Sequence, residues 1–112
     1  MEIKTEDYRV WTEGGNIYFD GIMRLVSAKD YTPILDLMMS VLASKPASIT
    51  LHLTDLEFLN SSGVNLLAKF TIEARKHSDV KLVVKGTSEI PWQSRSLPNL
   101  KKLHPALTFL ID

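Results

Sequence analysis

Several features typical of secreted, membrane and nucleic-acid-binding proteins are missing from this sequence. Its 112 residues contain no cysteine, which excludes disulfides, thiolate metal sites and cysteine nucleophiles and is typical of cytoplasmic proteins. Basic and acidic residues number 13 each, so no net charge attracts nucleic acid or an anionic membrane. The longest apolar stretch, residues 34–43, contains Asp36 and Ser40 and is too short to cross a bilayer. We therefore expect a cytoplasmic protein with no nucleic-acid partner and no membrane insertion.

Motifs for catalysis and cofactor binding are also missing. No Gly-x-x-x-x-Gly-Lys-Ser/Thr phosphate loop and no Gly-x-Ser-x-Gly nucleophile elbow occurs. The histidines, His52, His77 and His104, show no metal-ligand spacing to one another or to a carboxylate. The sequence thus predicts no enzyme, no metal site and no cofactor. Its 45% hydrophobic and 23% charged residues are ordinary for one globular domain, here expected over residues 1–112.

The most informative stretch is residues 51–63. Leu51 and Leu53 alternate with polar residues, as in a half-buried strand, and Asp55–Leu59 is expected to be a short connection. The spacing then changes to that of one helical face, with Asn65 on the opposite, wet side. Asn60 and Ser61 are both good N-cap residues, so hydroxyl groups lie at the electropositive end of the helix, where a phosphate is stabilised. The residues on the apolar helical face are Gly63, Leu66, Leu67, Phe70 and Ala74.

The remaining patterns complete an α/β domain. They predict a hairpin with a turn at residues 13–16 and a bulge near Gly21, and a helix from Thr32 to Ala43 with Pro33 as its first residue. Leu35, Met38, Met39 and Leu42 are expected on the inward face of that helix. The order β-β-α-β-α-β-α-β predicts a mostly parallel sheet of four or five strands with helices mainly on one face. The predicted strands cover about 8–11, 17–25, 48–53, 80–84 and 106–111, and a short third helix covers 97–103.

Residues 55–63, Asp-Leu-Glu-Phe-Leu-Asn-Ser-Ser-Gly, resemble the signature of STAS domains, the fold of bacterial anti-sigma-factor antagonists. In that family a hydrophobic strand leads through Asp-Leu-x-Phe to Asp-Ser-Ser-Gly or Asp-Ser-Thr-Gly at the start of a helix. The predicted order of elements also matches a STAS domain along nearly the whole chain. The resemblance implies a stand-alone bacterial regulator that acts by reversible protein binding in a partner-switching signal-transduction pathway.

The resemblance also implies a modification site and partners. Ser61 matches the serine that a partner kinase phosphorylates in STAS antagonists, and Ser62 is the second choice. The implied partners are a serine kinase of the anti-sigma-factor type and a serine phosphatase, with this protein a monomer or weak dimer. The implied docking surface surrounds the helix start and comprises Arg24, Asn60, Ser61, Ser62, Gly63 and Asn65.

Two residues depart from the family pattern. The acid that usually precedes the serine is Asn60 here, which keeps the capping geometry without supplying a carboxylate. Gly21-Ile22-Met23-Arg24 corresponds to a family run, Gly-x-Leu-Asp, whose acid lies near the phosphoserine. Arg24 would either pair with a phosphoserine or be an ordinary surface residue on an edge strand. The site could also have lost its switch and kept only the docking surface.

Other interpretations remain open at this point. Trp92 either anchors a partner, since Trp and Arg are enriched among interface hot spots, or fills the lower edge of the core. Ser61 could be no more than a capping residue. The alternative function is a STAS domain that binds a small ligand or serves as a scaffold subunit of a larger assembly without phosphorylation.

Overall fold

The computed structural model describes residues 1–112 as ten helices and strands around one mixed sheet. The element order is similar to that predicted from the sequence, with one extra strand at the beginning and one extra short helix, residues 91–96, directly before the predicted last helix. In chain order the elements are β1 (Glu2–Lys4), β2 (Tyr8–Glu13), β3 (Asn16–Met23), α1 (Ala28–Ala43), β4 (Ser48–Leu59), α2 (Ser61–Arg75), β5 (Lys81–Gly86), α3 (Pro91–Ser96), α4 (Pro98–Leu103) and β6 (Thr108–Ile111).

The sheet has six strands in the order β1-β2-β3-β4-β5-β6. The pairs β1–β2 and β2–β3 are antiparallel, and the sheet is parallel from β3 to β6. The predicted α/β architecture is therefore confirmed, with one strand more than the four or five expected. The extra strand, β1, is only three residues long, and its Ile3 packs against the core while the side chains of Glu2 and Arg9 form an ion pair across the β1–β2 edge.

One hydrophobic core lies between the sheet and the helices. It contains 26 buried side chains, which include Leu51, Leu53 and Leu56 of β4 and Leu66 and Phe70 of α2. The helix α1 packs against α2, and α2 against α4. No helix covers the opposite side of the sheet, where rings from three neighbouring strands stack instead: Trp11 on Tyr18 at 5.1 Å, and Tyr18 on His52 at 4.3 Å between centroids.

The predicted connection over Asp55–Leu59 is wrong, because β4 continues without interruption to Leu59. Its pairing with β3 shifts register between Tyr18 and Asp20 and again between Gly21 and Ile22. After these irregularities the spacing of buried residues in β4 changes from two to three. Ile49, Leu51 and Leu53 are buried in the first half of the strand, and Leu56 and Leu59 are buried in the second half. The alternation that identifies a strand in the sequence is therefore lost, although the strand continues. The expected irregularity at Gly21 is confirmed, and its φ of 99° suits glycine.

The helix α1 begins four residues before the predicted start, at Ala28, with Ser27 as its N-cap. Pro33 consequently lies inside the helix, where its missing N–H leaves the Lys29 carbonyl without the usual partner. The earlier start also changes the inward face, which is formed by Tyr31, Ile34, Leu37, Met38, Val41 and Leu42. Leu35 and Met39, expected on that face, are only half-buried.

Candidate functional site

The candidate site is the junction where β4 ends and α2 begins. Asn60 is the N-cap of α2, and its Oδ1 accepts a hydrogen bond from the Gly63 N–H at 3.1 Å. The same oxygen accepts a bond from the Tyr31 hydroxyl at 2.6 Å, while Asn60 Nδ2 donates to the Leu25 carbonyl at 2.8 Å. One side chain thus connects α2 with α1 and with the loop that follows β3.

These contacts explain why an amide suits this position. A carboxylate could accept from Gly63 and Tyr31, but it has no proton to donate to the Leu25 carbonyl. Asn60 therefore keeps the cap, as expected. It also donates a hydrogen bond to the Leu25 carbonyl that the aspartate of the STAS signature could not donate. Burial raises the pKa of Tyr31, so its phenol remains a neutral donor at neutral pH.

The structure distinguishes between the two serines. Ser61 is the first residue of α2 and is exposed, whereas Ser62 is half-buried. The cap of α2 is made by Asn60, so the capping role does not account for Ser61. Asn65, four residues further along α2, is exposed as well, and therefore lies on the same side of the helix as Ser61.

Gly63 allows α2 to start close to β4. A Cβ atom at this position would lie 2.1 Å from Leu59 Cδ1 and 2.9 Å from the Tyr31 hydroxyl oxygen. Any larger residue would push apart the end of β4, the first turn of α2 and the α1 tyrosine. The absence of a side chain therefore helps to hold Ser61 at a defined place above the sheet.

Arg24 lies directly beside this junction. The backbone N–H of Asn60 donates to the Met23 carbonyl at 3.3 Å, and the Asn60 side chain donates to the Leu25 carbonyl, so both neighbours of Arg24 are bonded to Asn60. Arg24 follows β3, which is paired on both sides, and the interpretation as an edge-strand residue is wrong. Its guanidinium carbon lies 5.1 Å from the centroid of the Phe58 ring.

Two exposed apolar side chains belong to the segments that meet at this junction. Val26, in the loop held by Asn60, is 89% exposed, and Phe58 near the end of β4 is 39% exposed. Exposed apolar side chains of this kind next to polar groups are frequent at protein interfaces. The docking residues inferred from the sequence, except the buried Gly63, thus have some surface exposure, whereas the contribution of Val26 and Phe58 was not anticipated.

Comparison with known proteins supports the fold. No model of a known protein family matches the sequence, and no curated protein matches it. One similar solved structure is that of diguanylate cyclase SiaD in complex with its activator SiaC from Pseudomonas aeruginosa, in which the matching chain is SiaC-like. The match has a TM-score of 0.73 and 15% identity, and it covers 99% of this chain and 97% of that one. An anti-sigma factor antagonist from Mycobacterium paratuberculosis matches with a TM-score of 0.59 and 21% identity, over 90% and 83% of the two chains. The chain has the STAS fold.

Trp92 is part of the interior of this STAS fold. It is buried, and its Nε1 donates to the Leu56 carbonyl at 2.8 Å. The neighbouring Gln93 is also buried and donates to the carbonyls of Leu53 and Leu56. All three bonds end on the part of β4 beyond His52, where its pairing with β5 has ended. Trp92 therefore fills the core, as one of the two sequence interpretations held, and is not an exposed anchor.

The far end of the STAS fold contains a different group of ionisable residues. A cavity of about 650 Å³ lies at the start of β5, lined by Arg75, His77, Lys81 and His104 among others. His104 is buried with no hydrogen-bond partner for either ring nitrogen, and burial, with Arg75 and Lys101 nearby, lowers its pKa. No group of three or more His, Asp or Glu side chains is placed to hold a metal ion.

None of the four helices combines the length and the hydrophobicity that a membrane-spanning helix requires.

Proposed function

We propose that this chain is a non-catalytic regulatory protein whose binding to partner proteins is controlled by phosphorylation of Ser61. The observation that carries the proposal is the exposure of Ser61 at the start of α2, together with the capping of that helix by a different residue, Asn60. A hydroxyl that is accessible and not needed for the helix cap is available for modification.

The modification is a phosphoryl transfer from a nucleoside triphosphate held by a partner kinase. Ser61 Oγ forms a bond to the γ-phosphorus, the bond from that phosphorus to the bridging oxygen breaks, and the nucleoside diphosphate leaves. The hydroxyl proton passes to a base of the kinase, since Asn60 cannot accept it as a carboxylate would. The product adds roughly −1.5 to −2 charges and three acceptor oxygens at the helix start.

The partners are proposed to be an anti-sigma-factor-type serine kinase and a serine phosphatase. The structural likeness to an anti-sigma factor antagonist and to the activator of a diguanylate cyclase supports a role in protein binding. A phosphate added to this surface can block a docked protein without a change of fold. The proposed docking surface comprises Arg24, Asn60, Ser61, Ser62 and Asn65, which surround the buried Gly63.

The test is incubation with ATP and a serine kinase of the anti-sigma-factor type that binds this protein, followed by mass mapping of the phosphate. We expect one phosphate on Ser61 in the wild type, none in Ser61→Ala, and normal modification in Ser62→Ala. If the kinase binds but neither serine is modified, the proposal fails. The chain would then be better described as a ligand-binding or scaffold subunit without phosphorylation.

A further inference from the structure

The Arg24 side chain contacts the aromatic ring of Phe58. Its guanidinium lies over the face of the Phe58 ring, with 5.1 Å between Cζ and the ring centroid. The side chain is exposed, and the structure contains no ion pair between Arg24 and a carboxylate. The ring of Phe58, 39% exposed, is therefore partly covered by a cation that has no stronger partner.

The backbone on both sides of Arg24 is held by Asn60, while its side chain is exposed and forms no ion pair. The Met23 and Leu25 carbonyls on either side of Arg24 both accept hydrogen bonds from Asn60, at 3.3 and 2.8 Å, and Asn60 directly precedes Ser61. An arginine side chain rooted there can extend over the ring of Phe58 or towards the start of α2. Only its side-chain torsions need to change, because the backbone on both sides is already held.

We propose that Arg24 is a two-position switch, stacked on Phe58 when Ser61 is unmodified and drawn onto the phosphate when Ser61 is phosphorylated. The inference rests on the proposed function and adds its structural consequence. Phosphorylation would then change two parts of the docking surface at once. It would add a partly neutralised phosphate at the helix start and expose the face of the Phe58 ring.

The direction of the exchange follows from the strengths of the two interactions. A cation over a solvent-exposed ring is a weak contact, whereas a guanidinium can bind a phosphate through two parallel N–H donors that are both charge-assisted. The planar fork of arginine matches phosphate geometry, and a lysine at position 24 would offer only a point charge. The phosphate is therefore expected to take the guanidinium from the ring.

This switch gives a partner protein two chemically different surfaces to recognise. In the unmodified protein, Val26 and the cation-covered ring of Phe58 lie beside a small neutral hydroxyl. In the modified protein, an ion pair replaces the hydroxyl and Phe58 presents a bare aromatic face. A partner whose contact includes an acidic side chain against Arg24 would be displaced, because the phosphate competes for the same guanidinium.

The test uses protein carrying phosphoserine placed at position 61 by genetic encoding, so that no kinase is required. The NMR signals of the Arg24 side chain and the ³¹P signal of the phosphoserine are followed in wild type, Arg24→Lys and Phe58→Leu. In the unmodified protein we expect an upfield ring-current shift of the Arg24 side-chain protons, and its loss in Phe58→Leu. With phosphoserine we expect that shift to disappear, the Arg24 Nε–H signal to move downfield, and the ³¹P titration to differ between wild type and Arg24→Lys.

The result that would overturn the inference is an Arg24 spectrum that phosphoserine leaves unchanged, with a ³¹P titration identical in wild type and Arg24→Lys. An amide spectrum that matches wild type outside this site confirms that each variant is folded. The two proposals fail separately: a kinase that never modifies Ser61 contradicts the proposed function, while the encoded phosphoserine still reports on where Arg24 goes.

Discussion

The Tyr31 hydroxyl donates to Asn60 Oδ1 at 2.6 Å, and this bond joins the first helix to the cap of the second. The tyrosine is 1% exposed, and its oxygen also lies 3.3 Å from the Met23 carbonyl at the end of β3. The polar contacts around Asn60 thus connect three elements at the place where Ser61 is presented. Their removal should affect stability and the placement of the serine together.

Replacement of Asn60 should destabilise the protein more than any other polar substitution near the helix start. Asn60→Ala removes the cap, leaves the Gly63 N–H and the Leu25 carbonyl without a partner, and leaves the Tyr31 hydroxyl only its longer contact with the Met23 carbonyl. We therefore expect a loss of about 2 kcal/mol in the free energy of unfolding. Asn60→Asp keeps the cap and loses the donation to Leu25, for about 1 kcal/mol. Urea unfolding gives both values. The exposed Asn65→Ala is the matched control, expected within about 0.5 kcal/mol of wild type; equal values for Asn60→Ala and Asn65→Ala would contradict the contacts.

The Tyr31 hydroxyl should contribute to stability in a pH-dependent way. Tyr31→Phe removes one buried hydrogen bond to Asn60 and should cost about 1 kcal/mol at neutral pH. Burial raises the pKa of Tyr31 in the folded protein, so folding favours the neutral phenol. The stability that this preference contributes is fully present below the unfolded pKa of about 10 and is lost as the pH rises through the higher folded pKa. The difference in unfolding free energy between wild type and Tyr31→Phe should therefore be smaller at pH 11 than at pH 8. The same difference at both pH values would show that Tyr31 does not titrate as described.

Gly63→Ala should be destabilising even though alanine is the better helix former. Alanine gains up to about 1 kcal/mol in helix propensity, but its Cβ would lie 2.1 Å from Leu59 Cδ1. The end of β4 or the start of α2 must shift to relieve this overlap, at a cost of roughly 1–3 kcal/mol from overpacking. Thermal unfolding of Gly63→Ala beside Asn65→Ala separates the two effects, because both add alanine to the same helix. A Gly63→Ala protein more stable than wild type would show that the junction is looser than described.

His104 should make the protein sensitive to mild acid. Burial, and then the cations Arg75 and Lys101, lower its pKa in the folded state. A histidine with a lowered folded pKa takes up its proton more readily when unfolded, so stability falls as the pH drops below the unfolded value of about 6.5. His104→Leu removes the titrating group and two unpartnered ring nitrogens. Between pH 7 and pH 5 its unfolding free energy should fall less than that of wild type; parallel curves would assign the acid sensitivity to other groups.

Local sequence patterns were sufficient to predict the position of α2 and the order of the elements apart from the short β1 and α3. Leu51 and Leu53 alternate because one face of β4 is buried, and Leu66, Leu67 and Phe70 repeat with the helical period. The serine could be placed at the helix start because Asn60 and Ser61 are residues that commonly begin helices.

Features that depend on contacts between distant residues could not be predicted in this way. The bond from Tyr31 to Asn60 joins residues 29 positions apart, and the stacking of Arg24 on Phe58 depends on the register of β3 against β4. The true end of β4 was missed because its register shifts remove the period-2 alternation. The start of α1 was missed because proline is common in the first turn of a helix, whereas Pro33 lies deeper within α1.

The measurement that tests the central claim most directly compares the affinity of a serine kinase of the anti-sigma-factor type for the unmodified protein, for Ser61→Ala and for protein with phosphoserine encoded at position 61. Ser61→Ala should unfold within about 0.5 kcal/mol of wild type, because Asn60 makes the cap. We expect Ser61→Ala to bind like wild type and the phosphoserine protein to bind at least about tenfold more weakly, a difference of about 1.4 kcal/mol. Equal affinity of all three proteins would contradict the claim that the exposed serine controls binding.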